Sequence, residues 1–133
     1  MIDNPKKINT TALAYMGDAV YEVAVREHLL EMGLDNVHKL HGLATKFVKA
    51  SAQSHIIKTI FDELTEEEQL LVKRARNKKP VTMAKNADPL DYRLATAMEA
   101  LVGYLYLAGD KDRLAWVLDR AIEIIGDSQK KED

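Results

Sequence analysis

The chain has no cysteine among its 133 residues. That excludes a disulfide framework, a thiolate metal centre and a cysteine nucleophile. No apolar run approaches the roughly 18 residues that a membrane-spanning helix requires. The opening residues, Met1 to Asn9, are polar and include Pro5, Lys6 and Lys7, so they hold no apolar signal core. A cytoplasmic protein is expected. There is no glycine-rich phosphate loop, no Gly-x-Ser-x-Gly and no dinucleotide fingerprint, which argues against nucleotide-dependent and acyl-transfer enzymes. No strand pattern of period two, internal repeat or low-complexity segment is found. The expected fold is all-α.

What is present is the composition of a folded domain, 47% hydrophobic and 30% charged. The length suits one domain spanning 1–133, with a polar arm over 1–9 and a charged tail over 126–133. Thr10 or Thr11 can cap a first helix that runs to about Met32 and stops at Gly33. Asp35 or Asn36 opens a second helix, Val37 to about Lys49, and a third follows from about Ala50 to Asp62 with Ile56, Ile57, Ile60 and Phe61 inward. Thr65 and Glu68 have capping-box spacing for a fourth helix, which runs to about Arg76. Pro80 and Pro89 mark a loop from Asn77 to Pro89. The fifth helix ends near Gly109, and an amphipathic sixth spans about Lys111 to Ile125 before a frayed tail.

The first and fifth helices carry the chemistry. Ala12-Leu13-Ala14-Tyr15-Met16-Gly17-Asp18-Ala19-Val20-Tyr21-Glu22 is apolar and small, with carboxylates set into it. Tyr15, Met16, Ala19, Val20 and Val23 share one broad face, while Asp18 and Glu22 sit one turn apart. A mid-helix glycine such as Gly17 costs about 1 kcal/mol against alanine, so something other than helix propensity accounts for it. Its companion runs from Tyr92 to Leu107, and Glu99 is the only acid in that stretch. Glycine and alanine on both helices allow a close crossing that brings Asp18 and Glu99 together. Neighbouring carboxylates in a poorly solvated place repel unless protonated or bound to a cation, and a hard divalent ion is the preferred occupant.

Net charge is −2, but the bases are gathered. Lys73, Arg74, Arg76, Lys78, Lys79 and Lys85 lie between Glu68 and Asp88 with no acid among them. Dipole compensation at a helix C-terminus accounts for Lys73 to Arg76 and not for the bases that continue through the loop. The pattern points to a polyanion. His38 and His41 lack a third ligand at useful spacing and are read as surface residues; Trp116, Tyr104 and Tyr106 are read as packing or interface.

Tyr15-Met16-Gly17-Asp18-Ala19-Val20-Tyr21-Glu22 resembles the signature helix of the ribonuclease III catalytic domain, and Ala97-Met98-Glu99-Ala100-Leu101-Val102-Gly103 its second acidic helix. The resemblance extends from about Thr10 to Ile125, and the chain leaves no room for the RNA-binding domain that ordinarily follows, so a free-standing form of the domain is expected. It implies an all-helical homodimer that cleaves duplex RNA with Mg2+, using Asp18 and Glu99 as catalytic metal ligands, with Glu22 as a further candidate. It also implies Tyr15, with its neighbour Met16, at the dimer interface. The implied substrate is the precursor of large-subunit ribosomal RNA, with a large-subunit ribosomal protein as a candidate partner. Two departures stand out: Ala14 and Thr96 occupy positions where the larger family has carboxylates. They are the features that favour a competing expectation, a non-catalytic RNA-binding factor in ribosome assembly.

Overall fold

The computed structural model describes residues 2–80 and 86–132, with side chains as far as 130. Among them are six α-helices: α1 (Thr10–Glu31), α2 (Val37–Val48), α3 (Ala50–Ile60), α4 (Glu66–Asn77), α5 (Pro89–Leu107) and α6 (Lys111–Glu132). Short 3-10 turns occupy Pro5–Lys7 and Phe61–Glu63. The all-α expectation holds.

Local chemistry sets the helix ends. Asn9, rather than Thr10 or Thr11, caps α1 by accepting the Thr11 N–H at 2.8 Å; Thr10 is turned inward and buried. Asn36 caps α2, accepting the Lys39 N–H at 3.1 Å. The capping box of α4 forms as the spacing predicts, with the Glu68 N–H donating to Thr65 at 3.1 Å and the Thr65 N–H to Glu68 at 2.8 Å. Gly33 and Gly109, with φ of 85° and 73°, supply the left-handed turns that end α1 and α5. The charged tail is not frayed: α6 continues from Ile125 through Glu132.

α5 is the central element, packed against α1, α3, α4 and α6. Ala97, Met98, Ala100, Leu101 and Val102 are wholly buried on it, together with Leu13, Tyr21 and Val25 of α1 and Ile56 and Ile60 of α3. The buried Tyr21 hydroxyl donates to the Phe47 carbonyl at 2.9 Å and so ties α1 to the end of α2. Glu68 has a second role that its cap position does not reveal. It is buried, and Arg113 of α6 grips both its carboxylate oxygens at 2.8 and 2.9 Å. The same guanidinium lies 4.0 Å from the Trp116 ring centroid.

α1 meets the core on a different face from the apolar one noted in the sequence. Leu13, Ala14, Gly17, Tyr21, Val25 and Leu29 turn inward, while Tyr15 is 82% and Val23 55% exposed. The small residues decide this. At Gly17 a Cβ would overlap the carbonyl of Glu99, and at Gly103 one would overlap the carbonyl of Leu13. The two helices cross with main chain on main chain, which no larger residue permits.

Candidate active site and basic face

This crossing places the carboxylates. Asp18 follows Gly17 directly, and Glu99 contributes the carbonyl against which Gly17 packs. Asp18 is exposed and Glu99 half-buried, so the two acids sit at the rim of the crossing and not inside it. The Glu99 carboxyl is influenced by both Asp18 and the Gln53 amide. Burial, then the hydrogen bond and charge of Asp18, push Glu99 up to about 8, while the Gln53 amide draws it down. At neutral pH the pair therefore retains a proton at Glu99.

Gln53 is the site residue that reading the sequence missed. It lies in α3, is 3% exposed, and donates through Nε2 to the Val48 carbonyl at 2.7 Å. Its Oε1 is buried without a partner. A signal existed: Gln53 shares helical spacing with Ile56, Ile57 and Ile60, and a glutamine on a core face needs a reason.

The donor set suits a hard divalent cation. Two carboxylates at one rim, one of them retaining a proton for want of a countercharge, form an oxygen site of the kind Mg2+ takes with water completing its shell. Asp18 and Glu99 would hold it. Glu22 is directed elsewhere, pairing with Arg26 at 3.2 Å and lining the groove between α1 and α2. Among the described residues no three of His, Asp or Glu gather into a metal cluster. Ala14 is buried in the core, and the Thr96 hydroxyl is turned back onto the Tyr92 carbonyl at 3.0 Å. Neither adds a ligand.

The bases form a face built from the end of α4 and the amino-terminal arm. Lys73 is exposed and sits 5.7 Å from the Phe61 ring centroid. Arg74 reaches the Lys6 carbonyl at 3.4 Å, and Arg76 the Asn77 side chain at 3.1 Å. Lys78 donates to Asn9 at 2.6 Å, and Lys79 is exposed. Lys85 lies outside the described residues. The arm, read from sequence only as polar, brings Lys6 and Lys7 into a cleft with Arg74 and Lys78. Lys6 is ion-paired with Glu67, so Lys7 is the freer addition.

A helical bundle with paired acids at a glycine crossing and a separate basic face is the architecture of a ribonuclease III catalytic domain. The Ribonuclease III domain profile matches residues 11–110, and the chain belongs to the ribonuclease III family. Its relatives narrow this further. The chain is similar to Mini-ribonuclease 3 of Brevibacillus brevis, with 46% identity over 92% of this chain and 91% of that protein. It is similar to Mini-ribonuclease 3 of Symbiobacterium thermophilum, with 48% identity over 92% and 94%. A crystal structure of a Fusobacterium nucleatum protein superposes with a TM-score of 0.78 at 31% identity, covering 88% of this chain and 93% of that one. The chain falls in the Mini-ribonuclease 3 group and is an endoribonuclease. Among the described residues no helix is long and apolar enough to cross a membrane.

Proposed function

We propose that this chain hydrolyses both strands of double-stranded RNA with Mg2+, which Asp18 and Glu99 would hold. The observation that carries the reading is the glycine crossing itself, which sets the Glu99 carboxyl, pushed up to about 8 by burial and by Asp18, beside an exposed second acid. When bound, such an ion supplies Lewis-acid stabilisation of charge on a phosphodiester. Asp18 and Glu99 would hold and orient it, and Glu99 would hold it as the carboxylate. Water adds to phosphorus, the bond to O3′ breaks, and the O3′ takes a proton. The products carry a 5′-phosphate and a 3′-hydroxyl.

The basic face supports a duplex substrate. A-form RNA presents backbone and 2′-hydroxyls across a wide shallow groove, so recognition by Lys73, Arg74, Arg76, Lys78, Lys79 and Lys85 rests on shape and charge. The proposed natural substrate is the large-subunit ribosomal RNA precursor, in the cytoplasm, with a large-subunit ribosomal protein as a partner, as the sequence resemblance implies. Dimerisation is supported by an apolar stripe on α1. Tyr15, Val23 and Leu30 are 82%, 55% and 56% exposed, and Leu30 borders a groove of about 300 Å³ against α2. Met16, half-buried, flanks the stripe.

The test is cleavage of a long duplex RNA in Mg2+ by the parent chain and by Asp18→Asn. Discrete products from the parent, with intact RNA bound by the variant, are expected. Binding without cleavage by the parent, in Mg2+ and Mn2+ and on a ribosomal precursor duplex, would overturn the reading.

A further inference from the structure

At the inner edge of the basic face, where Lys78 and Lys79 meet α1 and α5, lies a cavity of about 110 Å³. Its walls include Thr10 and Thr11 of α1, Lys79, and Tyr92, Arg93 and Thr96 of α5. Thr96 is three residues before Glu99, so the cavity opens about one helical turn, roughly 5 Å along the axis, from the metal-site carboxylate. Its chemistry is the reverse of that site. Among the described residues no carboxylate lines it, while Lys78, Lys79 and Arg93 do. Arg93 is half-buried, yet it makes no ion pair or hydrogen bond among the described residues, whereas Arg26, Arg74, Arg76, Arg113 and Arg120 each have a partner there. A partly desolvated guanidinium facing a small cavity with hydroxyls around it is a receptor for one tetrahedral anion.

We propose that this cavity is a phosphate subsite, in which Arg93, with Lys79 and the Thr10 and Thr11 hydroxyls, holds an RNA backbone phosphate next to the one being cut. The proposal rests on the nuclease reading above and deepens it. The outer bases bind the duplex wherever it lies. The Arg93 cavity fixes the register of one strand against Asp18 and Glu99. A contact to the backbone phosphate fixes strand position and carries no sequence information.

The experiment uses the full chain and a duplex whose cut position has been mapped. Arg93→Gln and Arg93→Lys are compared with the parent in thermal melting, in RNA affinity across a salt series (on an Asp18→Asn background to prevent cleavage), and in single-turnover cleavage. Arg93→Gln is expected to melt near the parent, lose about one unit of salt slope, and cut roughly tenfold more slowly, the worth of one charge-assisted hydrogen bond. Arg93→Lys recovers the slope and part of the rate. A single methylphosphonate walked along the cut strand then assigns the phosphate. At one position beside the cut it slows the parent and adds no further loss in Arg93→Gln. Equal sensitivity of parent and variant at every position overturns the proposal, and inorganic phosphate binding that depends on Arg93 in that case makes the cavity a free-anion site instead. An unchanged salt slope and rate in a folded Arg93→Gln also overturns it. If the parent itself neither binds nor cuts the duplex, it is the nuclease reading that fails.

Discussion

Glu99 links the site to pH at the scale of a single residue. Burial and Asp18 raise its carboxyl above the ordinary 4.5, to about 8, so the folded metal-free protein binds that proton more tightly than the unfolded chain does. The stabilisation is complete below the unfolded carboxyl range and is lost as pH rises through the folded value. The metal-free protein is expected to lose melting temperature between pH 4.5 and about 8 and to level off above. Asp18→Asn shrinks that fall without removing it, because burial is the larger cause. The complementary measurement is calorimetry of Mg2+ or Mn2+ binding near neutral pH in two buffers of different ionisation enthalpy. It should report close to one proton released per ion. Gln53→Met removes the amide that lowers Glu99, and is expected to move metal binding to higher pH while the fold is retained.

At the scale of the element, two contacts carry more than their helices' periodicity suggests. Gly17→Ala gains about 1 kcal/mol in helix propensity, yet is expected to lower stability overall, because its Cβ would meet the Glu99 main chain, which has no rotamer to yield. Calorimetric melting gives the sign, and a gain in stability would refute the crossing. Arg113→Met strands the buried Glu68, whose carboxyl is driven up by burial but held below its ordinary range by Arg113 and Thr65. Loss of about 3 kcal/mol is expected, seen as a melting temperature lower by roughly 10 °C. The Asn36 cap, the Thr65–Glu68 capping box and the glycine crossing were legible in the sequence because caps and small residues act locally, whereas the α1 cap and the end of α6 were not. The Glu68–Arg113 pair and Gln53 were not, since 45 residues separate one pair and α3 reaches α5 only in three dimensions. The inward face of α1 was misread for a related reason. Apolar residues at Tyr15 and Val23 look like core in one chain and are exposed in this one.

For the whole molecule, the acid pair of the candidate site and the main cluster of bases lie on different elements. The carboxylates sit at the α1–α5 crossing, while the bases lie at the end of α4 and on the amino-terminal arm. Lys78→Gln with Lys79→Gln should weaken duplex RNA binding and flatten its salt dependence, by about one unit of slope for each phosphate no longer neutralised; an unchanged slope would remove those lysines from the interface. Tyr15→Asp places a charge in the exposed apolar stripe, and sedimentation is expected to show a shift from dimer to monomer without loss of helix content. The glycine crossing has a last consequence. The gap between Asp18 and Glu99 is set by the van der Waals thickness of two peptide backbones and not by how interior side chains interlock. A relative with every leucine and isoleucine of its interior exchanged, but with these two glycines kept, would hold its carboxylates at the same separation. The ruler between the two acids is drawn in main chain, and the core around it is free to drift.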